Sequence, residues 1–122
     1  MKHFILSFLL LALTTGALST TAFAKNTVTV MSYNIRCGLC EPAENPHNWE
    51  KRKYFVAHLI KTHDPDVIGL QEAEIFQVED LVEMLDDYSW TGVGRSDGKD
   101  KGEANAILFR TERFSLQAQQ TL

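Results

Sequence analysis

Two short apolar runs constrain this chain more than any other feature. They are Val28-Thr-Val-Met-Ser-Tyr-Asn34 and Asp66-Val-Ile-Gly-Leu-Gln-Glu72. Both are too short for a helix and carry β-branched and large apolar residues, the pattern of strands buried in an α/β sheet. The first is expected over Val28 to Ile35 and the second over Asp66 to Gln71. Between them, Trp49, Val56, Leu59 and Ile60 recur at helical spacing, with Phe55 beside them and Lys51, Arg52 and Lys61 on the wet side. Asn45 or Asn48 can cap this helix. His63-Asp64-Pro65 ends it, because the residue before proline avoids the α region. In open α/β sheets, ligands collect outside the carboxyl ends of the strands. Each run ends there in a polar side chain, so Asn34 and Glu72 are expected side by side at one mouth of the sheet.

The rest of the chain extends this pattern. Ile75, Val78, Leu81, Val82 and Leu85 mark a second amphipathic helix. Tyr88 to Val93 reads as a short strand, and Gly94 to Gly102 as a charged, glycine-punctuated loop of the kind that often binds substrate. Ala104 to Arg110 and Phe114 to Gln119 read as two strands joined by a tight turn at Thr111-Glu112. The order β-α-β-α-β-β-β predicts an α/β layer fold with a mixed sheet and flanking helices.

Residues 1–24 are set apart from this pattern. Lys2 gives a positive start, Phe4 to Leu13 is mostly apolar, and Ala22-Phe23-Ala24 fits a small-x-small cleavage site. These are the parts of a secretory signal peptide. An apolar run of about ten residues is half of what a membrane span needs. Export to the periplasm or medium is therefore expected, and cleavage after Ala24 turns a chain of 122 residues into one of 98. The net charge of −4 becomes −5 once Lys2 is gone. Such a balance argues mildly against a non-specific grip on duplex nucleic acid, which needs clustered Lys and Arg.

Cys37 and Cys40 stand as Cys-Gly-Leu-Cys, and export places them where disulfides persist. A thioredoxin-like motif would open a helix with this pair. Here Glu41-Pro-Ala-Glu-Asn-Pro46 follows, and Pro46 would fall inside that helix. A local structural disulfide is the expectation, with an exported thiol-disulfide module as the alternative. A zinc site would need further Cys or His ligands, and His47 alone does not complete one.

Glu72 is a carboxylate at a strand end, and magnesium takes oxygen ligands with only one or two protein carboxylates. Asn34 could coordinate through its carbonyl, act through a water, or bind a phosphate. The structural alternatives are a helix N-terminal acid for Glu72 and an Asx-turn for Asn34. A non-catalytic binding fragment remains open at this level.

Three motifs together resemble a known family. Met31-Ser-Tyr-Asn34-Ile, Trp49-Glu-Lys-Arg52-Lys and Asp64-Pro-Asp-Val-Ile-Gly-Leu-Gln-Glu72 are similar to the opening motifs of the endonuclease/exonuclease/phosphatase superfamily. That superfamily includes repair nucleases, DNase I-like nucleases, inositol-phosphate phosphatases, sphingomyelinases and deadenylases. Gly92-Val-Gly-Arg95-Ser-Asp-Gly98, Gly102-Glu103 and Ala106-Ile-Leu-Phe-Arg110 resemble its secreted bacterial members.

The resemblance implies a DNase I-like fold, a four-layer α/β sandwich of which this chain is the N-terminal half. It implies metal-dependent hydrolysis of a phosphate ester, with water attacking in line. Glu72 matches the glutamate that binds Mg2+ (or Mn2+), and Asn34 the asparagine that helps order metal and phosphate. Arg95 and Glu103 fall in a loop that would face substrate; an arginine there can hold phosphate in bidentate fashion or stay solvated. Nucleic acid, phospholipid and sugar phosphate all fit as substrates, and nothing asks for an obligate protein partner. The family's later Asp-x-Asn and terminal Ser-Asp-His are absent from these residues, and His3, His47, His58 and His63 match none of its motifs. The expectation is a segment, 25–122, that is marginally stable and inactive alone, with one sheet face and at least one strand edge uncovered.

Overall fold

The structure, a computed structural model, describes residues 27–120. Four strands and two helices follow in the order β1 (Val30–Asn34), α1 (Trp49–His63), β2 (Val67–Gln71), α2 (Ile75–Met84), β3 (Tyr88–Thr91) and β4 (Ile107–Arg110). The leader read over 1–24 lies outside the described residues. The strands form one mixed sheet in the order β1-β2-β4-β3. β1 and β2 are parallel, with Asn34 opposite Gln71, while β4 runs antiparallel to both β2 and β3.

Both ends of α1 are fixed by local chemistry. The Asn48 side chain accepts the Lys51 N–H at 3.2 Å, satisfying one of the helix's orphan donors. Asp64 closes the helix in the left-handed conformation, with its N–H on the Ile60 carbonyl. Pro65 and Asp66 then turn into β2, where the Asp66 carboxylate, almost wholly buried, accepts the Thr29 N–H at 2.7 Å and pairs with Arg113.

One face of the sheet carries the core. Ile35, Ile68, Leu70 and Leu108 pack against Val56, Ile60, Val78 and Leu81 of the two helices. The period of two puts every second strand residue on the other face. That face holds Val30 (69% exposed), Val67, Ile107 (44% exposed) and Phe109 toward one end of β1 and β2, and Ser32, Asn34 and Gln71 toward their carboxyl ends.

Phe114 to Gln119 is not a strand. β4 already has β2 on one edge and β3 on the other, so a hairpin partner has no edge to join. A turn at Arg110–Phe114 instead swings the chain across the open face. There Phe114 and Leu116 line an apolar cleft with Val67, Ile107 and Phe109. The Thr91 hydroxyl reaches the Gln119 side chain at 2.5 Å. Arg52, read as solvent-facing, is folded inward with a side chain only 17% exposed.

Candidate functional site

The parallel register of β1 and β2 brings Asn34 and Glu72 together across 38 residues of chain. Asn34 Nδ2 donates to Glu72 Oε1 at 2.8 Å, and Asn34 Oδ1 accepts the Arg36 N–H at 2.9 Å. These two bonds fix the amide's orientation, since a carboxylate needs a donor and an N–H needs an acceptor. Both side chains are exposed to solvent at the sheet's mouth. Glu72 sits at φ 57° and Arg36 at φ 60°, in the left-handed region that costs an L-residue roughly 1–2 kcal/mol. Such strain persists where the surrounding structure enforces it, and it gathers at functional positions. Asn34 thus holds one oxygen of Glu72.

The loop behind this pair is pinned by two residues that polarity patterns misplace. Gln77 lies on the inner face of α2 with no exposed surface. Its Oε1 accepts the N–H groups of Gly38 and Glu74 at 2.9 and 3.0 Å, and its Nε2 donates to the Arg36 carbonyl at 3.1 Å. Arg52 reaches the same turn from α1, donating to the Ile35 carbonyl and, at 2.7 Å, to the Arg36 carbonyl. Its guanidinium also stacks 5.1 Å from the Trp49 ring centroid, and the Trp49 indole N–H donates to Asp80 at 2.7 Å. The sequence signals were present: a glutamine three residues after a helix-capping position, and an arginine one turn after a buried tryptophan.

Cys37 and Cys40 are joined as a disulfide with Cα atoms 5.3 Å apart, directly after the Asn34 turn. Gly38 inside this ring lies against Phe76 and Gln77, where a Cβ would come within 2.8 Å of the Phe76 ring. The Gly94–Gly102 loop is closed on itself by hydrogen bonds, among them Gly94 N–H to Lys99 O at 2.9 Å and Ser96 N–H to Lys101 O at 2.9 Å. A side chain at Gly94 would strike the Lys101 backbone. Arg95 and Glu103 form an ion pair at 3.2 Å. With Thr91, Asn105 and Gln119 they line a cleft of about 470 Å³. A bridge between Ala73 and Ala104, N–H to O at 2.6 Å, sets this cleft beside the strand end that carries Glu72. Among the histidines, His58 and His63 lie on α1, a helix about 22 Å long at 1.5 Å rise per residue, and His63 is its last residue.

The chain and its mixed α/β sheet match known proteins. Residues 31–121 match the profile of the endonuclease/exonuclease/phosphatase family. The chain belongs to that family. Its fold is part of the family's DNase I-like sandwich: a family protein from Bacteroides thetaiotaomicron superposes with a TM-score of 0.64 at 41% identity, over 69% of this chain and 31% of its own. The mannosyl-6-phosphatase of the same organism gives 0.65 at 40% identity, over 70% of this chain and 32% of its own. In sequence, the chain is 28% identical to the CCR4-Not complex 3'-5'-exoribonuclease subunit Ccr4 of Saccharomyces cerevisiae over 79% of its length and 14% of that subunit's. The chain therefore spans about a third of the solved family members and a smaller part of the yeast subunit.

Proposed function

We propose that the chain carries the first part of a divalent-cation phosphoester hydrolase centre. The observation behind this reading is the 2.8 Å bond from Asn34 to Glu72 at the carboxyl ends of two parallel strands. Oxygen donors of this kind fit Mg2+ or Mn2+, which bind through one or two carboxylates and keep several waters. Glu72 is the ligand. Asn34 orients its carboxylate and stands close enough to act on a phosphate or an ordered water. When bound, the cation neutralises the charge that develops on the phosphoryl oxygens. Arg95 and Glu103 serve the substrate side, Arg95 as a phosphate donor once it turns from its partner.

The substrate is a phosphate ester. The likeness to a mannosyl-6-phosphatase supports a phosphorylated sugar as the first to test, and the likeness to an exoribonuclease supports RNA as the second. The leader pattern and the Cys37–Cys40 disulfide support an exported protein. Residues 25–122 alone should turn over no bis-p-nitrophenyl phosphate with Mg2+; turnover that is lost in Glu72→Ala would overturn this.

Cation binding is read by paramagnetic broadening. Mn2+ should selectively broaden the amide signals around Asn34 and Glu72 in the NMR spectrum of the chain. Glu72→Gln should remove the effect, and Asn34→Ala should weaken binding about 10–100-fold, as loss of a ligand's orienting partner does. Broadening that is unchanged in Glu72→Gln would sink the assignment.

A further inference from the structure

Glu41 is a buried acid outside the Asn34–Glu72 pair. It directly follows the Cys37–Cys40 disulfide, and its side chain is only 1% exposed. The disulfide draws the ends of its loop to a Cα separation of 5.3 Å, so the two residues that flank it, Arg36 and Glu41, meet. Arg36 Nε stands 2.7 Å from Glu41 Oε1, and Arg52 Nη2 stands 3.5 Å from Glu41 Oε2. Oε1 has no aligned hydrogen-bond donor among the described residues, so the charge of Arg36 is what offsets its burial. The chain beyond Glu41 is tied down as well. Asn45 N–H donates to the Pro42 carbonyl at 3.0 Å and Asn48 Nδ2 to the Ala43 carbonyl at 2.6 Å.

Both arginines that meet Glu41 bear on the backbone of Arg36. The Arg36 carbonyl accepts from Arg52 at 2.7 Å, and the Arg36 N–H donates to Asn34 Oδ1 at 2.9 Å. Arg36 holds φ 60°, so its backbone persists there only if it is anchored. That N–H also decides which way the Asn34 amide turns. With Oδ1 on the N–H, Nδ2 is left to donate to Glu72 Oε1 at 2.8 Å. A reversed amide would set its oxygen against the carboxylate, two acceptors with no proton between them. Glu41, Arg36, Asn34 and Glu72 thus form an unbroken chain of contacts at 2.7, 2.9 and 2.8 Å.

We propose that Glu41 is a positioning residue for the Asn34–Glu72 pair, a role that rests on the reading of that pair as a cation centre. It acts through Arg36 and Arg52, which fix the Arg36 backbone and with it the side of the Asn34 amide that Glu72 meets. Exposed ion pairs do little because both partners keep their water. Glu41 has lost its water, so its hold on Arg36 is of another kind.

The test uses the full chain, labelled with 15N and with its disulfide intact. In the absence of metal, the Asn34 Nδ2 proton signals, assigned by their loss in Asn34→Ala, report the amide directly. One of the two should lie downfield and exchange with water more slowly than the other. Glu41→Gln removes the charge at constant size. It should bring the two signals together and weaken Mn2+ binding about tenfold, the low end of what losing an orienting partner costs. Arg36→Met, at a side chain 60% exposed and so tolerant of change, should do the same. Glu44→Gln makes the same charge change at an exposed position of the same loop and should do neither. The amide signals of Ile60 and Leu81 in the core check the fold, so that loss of structure reads differently from a turned amide. Parent-like Asn34 signals and Mn2+ affinity in folded Glu41→Gln or Arg36→Met, or an equal effect of Glu44→Gln, would overturn the proposal. The Asn34 signals need no cation. If they move in Glu41→Gln while Mn2+ broadening persists in Glu72→Gln, the cation reading falls and the hold of Glu41 on Asn34 stands.

Discussion

Glu72 carries a conformational cost that it shares with Arg36 in the adjoining turn. At φ 57° it occupies a region where glycine is at ease and a glutamate is not. Glu72→Gly should therefore stabilise the fold by about 1 kcal/mol in urea unfolding while removing cation binding. A loss of stability would show that the Asn34 bond outweighs the strain. Tyr88 offers a second residue-scale reading. Burial pushes its phenol up to about 12, against the partial opposition of Arg110, and its hydroxyl donates to the Pro65 carbonyl. The folded state thus favours the protonated phenol. The stability it contributes is complete below pH 10, the ordinary phenol value, and is lost as pH rises toward 12. Phenolate absorbance of Tyr88 should appear only as the chain unfolds in alkali, and Tyr88→Phe should cost about 1 kcal/mol. Asn34 and Glu72 were legible in the sequence because a polar residue directly after an apolar strand stands out. Gln77 and Arg52 were harder to read: each carries a local signal, but polarity alone reads both as solvent-facing, and the carbonyl and N–H groups of a folded loop explain why they turn inward.

At the scale of elements, the helices and the two parallel strands follow their patterns closely, because caps and period coincide there. α1 begins after Asn48 and stops at Asp64 for reasons written in those residues. The last predicted strand failed for a reason no local pattern holds. Phe114 to Gln119 has the composition of a strand, but whether an edge is free depends on how β3 and β2 flank β4. The join between α2 and the β1–α1 loop is where a single element-level change should tell most. Gln77→Leu keeps the helix and its apolar face but strands the Gly38 and Glu74 N–H groups, while the Arg36 carbonyl keeps its bond from Arg52. Buried groups left without partners cost roughly 1–3 kcal/mol each. A loss of about 3 kcal/mol is expected in urea unfolding, with faster amide exchange at Gly38. A change below 0.5 kcal/mol, the usual size of a surface substitution, would mean that water replaces the glutamine.

For the whole molecule, the decisive feature is a sheet whose helices, among the described residues, all lie on one side. The other face sets Val30, Val67, Ile107 and Phe109 in a row that Phe114 and Leu116 cover in part. Apolar surface of this kind drives association. Residues 25–122 should self-associate with rising concentration in sedimentation experiments, and Val30→Lys with Ile107→Lys should suppress it. The same parallel pairing that defines the sheet has a kinetic side. Asn34 and Glu72 are separated by an entire helix, and they meet only when α1 has folded back and β2 has docked on β1. Closing that loop costs entropy before any contact repays it, so such pairings form late. Capture of a cation by this pair would then follow completion of the strand–helix–strand crossover, and a metal signal gained during refolding would time that step.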